Sequence, residues 1–434
     1  MQSAVALNVQ QSIRPGMEID TYYAGKENSK LQVHATVEDN RFFVALPSLN
    51  SGSSSTVTFN PNEGLAEVII TLRLSQPVNA LGLALQSGWG YQMLRRIGYR
   101  YGSSQLYYIN GEQNLVEALS LCEDSGKKQQ MHFLGGQALL SAADWADAGK
   151  RTAYVYLRLP HSSPALSGGA LPFPSDILTA PIQLQIDLAN FSQIVSWDAA
   201  TPGAAASNPT PTSLEFATVN FTQVTMQDAG DLVARRFDMS RHALTIPLPE
   251  GWCQESVQFP VAVGANGQFQ VSLTGCKAGD LRKLRVWITK DSDKVPDTNG
   301  QVNPGKFYAP AQLTFAINGL IYLDSANGSW LLTNLLRRRQ PPVVTYSDLA
   351  PPAGGAAAWT STPYASVWCE IDLAQPYTIG DSQEVALVHG VPVMNSVMNL
   401  TGIMPEGSTN YTVNVEYVLN CSWMASRGSA EFVF

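Results

Sequence analysis

The amino-acid sequence predicts an all-β fold of the sandwich type, and three observations lead to this prediction. Of the 434 residues, 45% are hydrophobic and only 14% are charged, which is well below the roughly 25% charged content of an average soluble protein. Small polar residues, Gly and Pro separate short runs of Val, Ile, Leu, Phe and Tyr, as is typical of many-stranded sandwiches. Apolar and polar residues often alternate, whereas helical periodicity is scarce.

Alternation with a period of two residues marks the predicted strands. Ile182, Leu184, Ile186 and Leu188 alternate with polar residues, so one face of this strand is apolar and the other polar. The same pattern recurs at 31–37, 284–288, 367–373 and 413–419. We expect half-buried antiparallel strands at these places, with a core on one side and solvent on the other.

One turn signal lies between two strand-like runs, at 257–263 and 268–273. The runs are separated by a short segment that contains Asn266-Gly267. Asn and Gly tolerate the positive φ that both central residues of a type I′ turn require, so this pair predicts that the two runs form a β-hairpin.

Helical periodicity is found in two short segments that suggest an internal duplication. They cover 112–121 and 329–338, and each follows a strand-like run and an Asn-Gly pair. The pairs Asn110-Gly111 and Asn327-Gly328 lie 217 positions apart, which is half the chain length. This spacing predicts two copies of one β-rich unit.

A second similarity between the halves supports the same prediction. The strand-like tetrapeptides at 185–188 and 370–373 read Gln-Ile-Asp-Leu and Glu-Ile-Asp-Leu. The best boundary lies near Gly230, where a mixed-charge segment interrupts the alternation. We therefore predict a first domain at 1–230, which includes an N-terminal arm, and a second domain at 231–434.

Several segments, taken in order along the chain, resemble a known family. They are 96–102, 106–112 with the short helix that follows it, Lys127-Lys128, 133–136, 153–160, 170–173, 182–188, 397–400, 411–423 and 430–434. In this order they are similar to the double jelly-roll major capsid proteins of the adenovirus and tectivirus (PRD1-like) lineage, which large eukaryotic DNA viruses also encode. The resemblance covers most of the chain, through motifs that are individually loose.

The resemblance implies two consecutive eight-stranded antiparallel jelly rolls, with short helices in the connecting loops. It implies a homotrimer that forms a pseudo-hexagonal capsomer of an icosahedral virus shell, made inside the host cell and located in the virion. Neighbouring capsomers, minor or cement proteins and penton proteins are the implied partners, and contact with an internal membrane follows by analogy only. Three Pro-, Gly- or Ser-rich segments, 162–175, 196–213 and 349–363, are predicted to be external loops.

The residue pattern contains no constellation typical of an enzyme, so we predict no catalytic site, no cofactor and no resident metal. The histidines are widely spaced, and no Gly-x-Ser-x-Gly elbow accompanies them. The cysteines form no CxxC pair and have no His at metal-ligand spacing, which indicates small buried hydrophobic residues. The histidines are His34, His132, His161, His242 and His389, and the cysteines are Cys122, Cys253, Cys276, Cys369 and Cys421.

Two groups of acidic residues allow other interpretations. Asp291, Asp293 and Asp297 precede Asn299-Gly300 and loosely resemble a calcium loop, although the closing Glu is absent and a solvated turn explains them as well. The carboxylate pairs that glycoside hydrolysis would need are Asp144 with Asp147 and Glu370 with Asp372. On an alternating strand the second pair is more simply the polar face.

Two further clusters leave binding functions open. Arg337, Arg338 and Arg339 follow the second predicted helix, where they could complement the helix dipole, contact a neighbouring subunit or contact nucleic acid. An aromatic concentration could form a sugar platform or could be core and interface packing. It consists of Trp89, Tyr91, Tyr99, Tyr101, Tyr107 and Tyr108.

Net charge and hydropathy narrow the choice of function. The chain carries 35 acidic and 27 basic residues, for a net charge of -8, and therefore shows no strong signal for nucleic-acid binding. Residues 1–16 have no basic flank followed by an apolar h-region, so no signal peptide is predicted, and the apolar stretches are too short to predict a transmembrane helix. The leading hypothesis is a structural capsid subunit. A carbohydrate-binding β-sandwich and a β-sandwich hydrolase are the alternatives.

Overall fold

The computed structural model describes residues 41–45, 49–59, 64–101, 104–120, 134–157, 181–224, 244–247, 252–277, 279–295, 302, 307–308, 310–326, 368–373, 375–378, 385–426 and 429–433. Within these residues the chain is mostly strand, and every pair of neighbouring strands is antiparallel. The predicted strand at 31–37 lies outside the described residues. So does the predicted domain boundary at 230, which therefore stays a prediction.

Ten strands and three short helices make up the first half of the described chain. They are β1 (Arg41–Ala45), β2 (Ser54–Phe59), β3 (Gly64–Leu74), β4 (Leu83–Ala84), α1 (Trp89–Met93), β5 (Leu94–Tyr101), β6 (Ser104–Ile109), α2 (Gly111–Ser120), α3 (Ala142–Ala146), β7 (Thr152–Leu157), β8 (Ile182–Leu188), β9 (Ser196–Trp197) and β10 (Leu214–Val224). Two four-stranded sheets, β1-β10-β3-β7 and β2-β8-β5-β6, form what we name the first sandwich.

Fifteen strands follow in the second half. They are β11 (Leu244–Pro247), β12 (Trp252–Cys253), β13 (Val257–Ala262), β14 (Gln268–Leu273), β15 (Asp280–Lys290), β16 (Gln312–Ile317), β17 (Leu320–Ala326), β18 (Trp368–Asp372), β19 (Gln375–Thr378), β20 (Val385–His389), β21 (Val391–Pro392), β22 (Met398–Ile403), β23 (Asn410–Leu419), β24 (Ser422–Ser426) and β25 (Ser429–Val433). The second sandwich consists of two sheets. One has the order β12-β23-β15-β18, with β13 also paired with β23, and the other has the order β14-β22-β16-β17.

Both sandwiches have the same strand order. If β12 and β13 count as one interrupted strand and the minor strands are set aside, each sandwich has eight main strands along the chain. One sheet then has the order 1-8-3-6 and the other the order 2-7-4-5 in both halves. Two Greek keys arranged in this way make a jelly roll, so the chain contains two consecutive jelly rolls, as expected.

The strands predicted from alternation form the cores of the sandwiches. In the first sandwich, Leu184 and Ile186 on β8 are fully buried. In the second sandwich, Leu284 on β15 and Val413 and Val415 on β23 are buried in the same way. Burying this apolar surface provides the main stabilisation of a two-layer sandwich.

The predicted helix at 112–121 is present as α2, and its start explains the Asn110-Gly111 pair. The side chain of Asn110 accepts a hydrogen bond from the backbone N–H of Gln113 at 2.7 Å, which caps the helix. A Cβ at Gly111 would collide with the carbonyl oxygens of Tyr91 and Leu94. Glycine is therefore needed here for close packing against α1 and β5.

The two Asn-Gly pairs of the predicted duplication can be compared only in part. Strand β6 ends at Ile109 and strand β17, the fifth main strand of the second sandwich, ends at Ala326. Each pair thus directly follows the fifth strand, which agrees with the spacing of 217 residues. Asn327-Gly328 and the predicted helix at 329–338 lie outside the described residues.

The second proposed similarity between the halves is wrong. The tetrapeptide at 185–188 lies on β8, the seventh main strand of the first sandwich, whereas residues 370–372 lie on β18, the sixth main strand of the second. Strand β22 occupies the position equivalent to β8. Short alternating sequences recur because many strands share the same half-buried environment, and not because they are equivalent.

The hairpin predicted at Asn266-Gly267 is also wrong. Strand β13 pairs with β23 and β14 pairs with β22, so the segment between them crosses from one sheet to the other. The hairpin with a type I′ turn lies at Asn318-Gly319, between β16 and β17, where both residues have positive φ, 51° and 81°.

Of the three predicted external loops, only 196–213 is described. It begins as β9 and then packs on the loop between β3 and β4, where the side chain of Asn79 donates to the carbonyl of Gly203 at 2.9 Å. Residues 206–208 at its tip are exposed. The segments 162–175 and 349–363 lie outside the described residues.

A small sheet involves the end of the described chain. Strands β24 and β25 form a hairpin, and β24 also pairs with β11, which precedes the second sandwich. Strand β25 lies beside β6 of the first sandwich. This hairpin therefore contacts both the segment before the second sandwich and the edge of the first.

Candidate functional site: the contact between the two sandwiches

Helix α2 of the first sandwich carries the most specific contact with the second. Glu112, in its first turn, accepts a hydrogen bond from the indole N–H of Trp287 on β15 at 3.3 Å. The same carboxylate pairs with the ammonium group of Lys294 at 3.2 Å. Trp287 is fully buried, so this contact places a carboxylate against an indole that would otherwise lack its usual polar partner.

The next residue of α2, Gln113, binds the backbone of the second sandwich with both ends of its amide. The amide NH2 donates to the carbonyl of Gln254 at 2.9 Å, and the amide oxygen accepts from the N–H of Ser256 at 2.9 Å. Gln113 is fully buried. These two backbone groups lie between β12 and β13 and do not pair with a neighbouring strand. The side chain of Gln113 therefore provides hydrogen-bond partners for polar groups that burial would otherwise leave unpaired.

Three further contacts extend this interface. The side-chain amide of Asn110 donates to the hydroxyl of Ser256 at 2.6 Å. Arg96 on β5 pairs with Glu255 at 3.0 Å, with both side chains well exposed. The hydroxyl of Ser196 lies 3.0 Å from the backbone N–H of Val302 and 3.1 Å from its carbonyl oxygen.

A buried ion network lies on the outer face of the second sandwich's 1-8-3-6 sheet, which also carries Trp287. The guanidinium of Arg285 on β15 binds Glu370 on β18 at 2.8 Å and both carboxylate oxygens of Glu416 on β23 at 3.1 Å. Lys283 pairs with Glu370 at 3.3 Å. Arg285 and Glu370 are 5% exposed and Glu416 is 0% exposed, so the two carboxylates need these two cations nearby.

The expectation that β23 turns one face to solvent is therefore wrong. Asn414 and Glu416 point away from the core, but both are fully buried. Their sheet pairs with β15 in register, so that Glu416 stands opposite Arg285 and Asn414 opposite Trp287. The physical reason is that other parts of the chain lie on this face, as Glu112 of α2 and Phe307 do at Trp287. Alternation alone reports which way side chains point and not what covers them.

The carboxylate pairs considered for hydrolysis have structural roles. Asp144 forms a capping box with Ser141 at the start of α3 and pairs with Lys150 at 2.5 Å. Partial burial favours a higher pKa, but the hydrogen bonds from Lys150, Ser141 and Leu140, together with the charge of Lys150, lower the pKa of Asp144 to about 2. Asp147 accepts from the N–H of Gly149 at 2.8 Å.

In the other pair, Glu370 is held in the buried ion network, whereas Asp372 is exposed at the end of β18. A general acid must be accessible to the substrate. Glu370 is 5% exposed and is bound by Arg285 at 2.8 Å, so it does not meet this requirement. Neither pair therefore supports the hydrolase alternative.

The calcium-loop interpretation finds no support in the described residues. Asp291 accepts a hydrogen bond from the hydroxyl of Thr412 at 2.6 Å, and Asp293 accepts one from the hydroxyl of Tyr308 at 2.6 Å. Among the described residues, no group of three or more His, Cys, Asp or Glu side chains could hold a metal ion. Asp297 lies outside them. These carboxylates connect the short helix Asp291–Lys294, which follows β15, to β23 and to the segment between β15 and β16.

The aromatic concentration is core packing in its described part. Trp89, Tyr91 and Tyr99 are at most 2% exposed, and burial raises the pKa of Tyr99 far above its usual range. The guanidinium carbon of Arg96 lies 3.6 Å from the ring centroid of Tyr108. The side chains of Tyr101 and Tyr107 lie outside the described residues. A sugar platform needs exposed aromatic faces, which these buried rings do not offer.

Some predicted residues cannot be placed. Cys369 and Cys421 are buried, as expected, and Cys276 is half-buried. The side chains of Cys253 and His389 are not among the described ones. The following residues lie outside the described part of the chain: Cys122, His34, His132, His161, His242, Lys127, Lys128, Arg337, Arg338 and Arg339.

No helix in the described part of the chain is long and apolar enough to span a membrane. Sequence reasoning missed this contact because Trp287 is distant in the chain from Glu112 and Gln113. The one available signal was the polar character of a helix, α2, whose buried residues include Gln113, Asn114 and Glu117. Polar residues buried on a helix need partners on the element that covers them.

Comparisons with known proteins give a match in structure only. No family model matches the sequence, and no curated protein does. The fold is similar to that of a chain in the PBCV-1 virus capsid, with a TM-score of 0.58, 7% identity and coverage of 91% of this chain and 96% of that one. It is also similar to the Faustovirus major capsid protein, with a TM-score of 0.55, 8% identity and coverage of 99% and 97%.

A third similar structure is the mavirus major capsid protein, with a TM-score of 0.50, 9% identity and coverage of 90% of each chain. At these low sequence identities the comparisons show the fold alone. The matched length covers nearly the whole chain and therefore includes both sandwiches in the same order. The chain thus has the fold of the double jelly-roll capsid proteins.

Proposed function

We propose that this chain is a major capsid protein, a structural subunit that trimerises into pseudo-hexagonal capsomers of an icosahedral virus shell. The observation that carries the proposal is the repetition of the 1-8-3-6 and 2-7-4-5 sheets in one chain. Three chains then supply six similar sandwiches, which can occupy the place of a hexamer in a shell. The subunit acts by burying surface against its copies, and the proposal assigns it no reaction, cofactor or metal.

The organisation of the chain is part of the proposal. We assign the first jelly roll and an N-terminal arm to residues 1–230 and the second jelly roll to residues 231–434. Each jelly roll has its own pair of sheets, while α2 and the β24–β25 hairpin link the two halves. Such cross-contacts favour a rigid subunit, which suits a building block whose two sandwiches must keep a fixed angle.

The proposed partners are other copies of the chain, first within the trimer and then in neighbouring capsomers. Minor or cement proteins, penton proteins and an internal membrane are partners that the family analogy adds. The proposed location is the virion, after assembly in the host cell. The net charge of -8 gives no support to direct packaging of nucleic acid by this chain.

The test is the oligomeric state and shape of the purified chain. We expect light scattering coupled to size-exclusion chromatography to give three times the mass of one chain, and negative-stain microscopy to show particles of hexagonal outline. A chain that stays monomeric at high protein concentration contradicts the proposal. Binding of a monomer to a glycan array would instead favour the carbohydrate-binding alternative, which the burial of Trp89, Tyr91 and Tyr99 disfavours.

A further inference from the structure

Asn-Gly pairs recur in this chain, and their side-chain amides differ in what holds them. Asn is one of the chemically labile residues of a protein. Before a Gly, which has no side chain to hinder the approach, the backbone nitrogen of the Gly can attack the side-chain amide carbon of the Asn. The structure describes three such pairs, Asn110-Gly111, Asn266-Gly267 and Asn318-Gly319. Whether the attack can occur in the folded chain depends on the freedom of each amide.

In the first pair the amide is held at both ends. The side-chain oxygen of Asn110 accepts from the N–H of Gln113 at 2.7 Å, and its NH2 group donates to the hydroxyl of Ser256 at 2.6 Å. Gly111 is itself buried and packs closely against the carbonyl oxygen of Tyr91. Turning this amide towards the nitrogen of Gly111 breaks both side-chain hydrogen bonds.

The amide at the hairpin turn between β16 and β17 is held in the same way. The side-chain oxygen of Asn318 accepts from the N–H of Val397 at 2.8 Å, and its NH2 group donates to the hydroxyl of Ser396 at 3.1 Å. These bonds join the turn to the segment that precedes β22. Here too, rotation of the amide towards the nitrogen of Gly319 breaks two hydrogen bonds.

The pair in the crossing between β13 and β14 is different, because its amide is free. Asn266 is exposed, and its side chain makes no hydrogen bond to any residue that the structure describes. The backbone of the pair is fixed instead, since the N–H of Gly267 donates to the carbonyl of Gly264 at 2.9 Å and its carbonyl accepts from the N–H of Met404 at 2.8 Å. The bond to Gly264 is the one that must open before the nitrogen of Gly267 can attack.

We propose that Asn266 is a site of spontaneous deamidation, in preference to Asn110 and Asn318. The nitrogen of Gly267 loses its proton and forms a bond to the side-chain amide carbon of Asn266, and the amide nitrogen leaves as ammonia. Water then opens the resulting cyclic imide at either of its two carbonyl carbons, which gives aspartate or isoaspartate. The reaction consumes a water molecule, releases ammonia and needs no enzyme, metal or oxidant.

The products alter the end of the second sandwich where two connections meet. Conversion adds one negative charge to the net charge of -8, and isoaspartate also lengthens the main chain by one carbon. The carbonyls of Gly267 and Gly264 accept from the N–H groups of Met404 and Ser408, which lie between β22 and β23. A longer main chain at Asn266 therefore disturbs these contacts. In a particle that keeps its subunits, as the proposed function requires, the products accumulate with age, but the site itself does not depend on that function.

The first experiment follows each Asn in the purified, folded chain. The protein is incubated at mildly alkaline pH and digested, and mass spectrometry of the peptides measures the conversion of Asn110, Asn266 and Asn318 to aspartate and isoaspartate. We expect Asn266 to convert about tenfold faster than either of the other two, because its amide has no hydrogen bond to lose. Conversion of Asn266 at or below the rate of Asn318 would overturn the inference.

The control is the same chain unfolded in urea. Each of the three Asn residues is followed by Gly, so without the fold they should convert at similar rates. A preference for Asn266 that persists in urea would show that the neighbouring sequence causes it, which rejects the structural explanation. A preference seen only in the folded chain supports it.

A second experiment releases one of the held amides. Ser396→Ala removes the acceptor of the Asn318 NH2 group, so we expect Asn318 to convert several-fold faster in this variant while the rate at Asn266 stays unchanged. Circular dichroism and the unchanged rate at Asn110 show that the variant is folded. If Asn318 converts no faster in the folded variant, side-chain hydrogen bonds do not control the reaction and the choice of Asn266 fails.

Discussion

Glu112 in the first sandwich accepts a hydrogen bond from the indole of Trp287 in the second, across 175 positions of sequence. The contact is specific because an indole has a single donor and Trp287 has no access to water. It fixes the start of α2 against β15 and thus the position of one sandwich relative to the other.

The first prediction concerns this contact. Glu112→Ala removes the acceptor for the Trp287 indole and the partner of Lys294, and we expect a loss of about 1–3 kcal/mol in the free energy of unfolding. Glu112→Gln retains an acceptor for the indole and loses only the ion pair, so it should cost less than about 1 kcal/mol. Urea denaturation followed by Trp fluorescence measures both. Equal losses in the two variants would show that the indole hydrogen bond contributes nothing.

The second prediction concerns the buried ion network. Arg285→Met removes the guanidinium that binds both Glu370 and Glu416 and leaves the two carboxylates buried, and we expect a loss of about 3–5 kcal/mol in the free energy of unfolding. The control is Lys283→Met, since Lys283 is more exposed and its removal leaves Arg285 on both carboxylates. That variant should lose about 1 kcal/mol.

The network also predicts a rescue. Replacing Glu416 by Gln in the Arg285→Met background removes a buried carboxylate that has lost its guanidinium partner, so the double variant should be more stable than Arg285→Met alone. Additive losses in the double variant would mean that Arg285 acts through packing and not through charge. Chemical denaturation of the four chains completes this double-mutant cycle.

The fold class and several strands could be predicted from the sequence because they depend on local periodicity. β8, β15, β18 and β23 appear where apolar and polar residues alternate. The spacing of Asn110-Gly111 and Asn327-Gly328 reflects a true correspondence between the ends of β6 and β17. Alternation is a reliable guide where a strand has a core on at least one side.

The errors arose where long-range pairing decides the outcome. Asn266-Gly267 and Asn318-Gly319 are the same dipeptide, yet only the second closes a hairpin, because β13 and β14 each find a partner far away in sequence. The interface of Glu112 with Trp287 could not be predicted for the same reason. Nothing in the local sequence states which outer face another part of the chain will cover.

The third prediction is a pH dependence that comes from Asp144. The pKa of this carboxyl is lowered from 3.8 to about 2 in the folded protein, so the folded state holds the proton less tightly than the unfolded state. The stabilisation is therefore present above about pH 4 and is lost as the pH falls towards 2. Asp144→Asn should be less stable than the wild type at pH 6, and the difference should shrink towards pH 2.

The control for this pH dependence is Lys150→Met, which removes the partner that contributes most to the lowered pKa of Asp144. It should reduce the same pH-dependent difference while keeping the capping box with Ser141. Thermal unfolding of the three chains between pH 2 and pH 6 measures the effect. A constant difference between Asp144→Asn and the wild type over this range would contradict the assignment.

The fourth prediction concerns the hairpin turn between β16 and β17. Gly319 has a φ of 81° and no atom within 4 Å of the place where a Cβ would stand, so Gly319→Ala tests backbone strain without a clash. We expect a loss of about 1–2 kcal/mol in the free energy of unfolding. Gly264→Ala is the matched control, because Gly264 also has open space around it but no positive φ.

The expected sign at Gly264 is the opposite one. An alanine that fits the existing backbone restricts the unfolded chain and stabilises by about 0.4–1 kcal/mol. If both variants lose stability equally, the cost lies in removing glycine itself and not in the left-handed conformation at Gly319. If only Gly319→Ala loses stability, the left-handed conformation at Gly319 is what the turn requires. A two-residue turn must match the twist of the strands that it joins. The segment at Asn266-Gly267 has no such requirement, because it connects two different sheets.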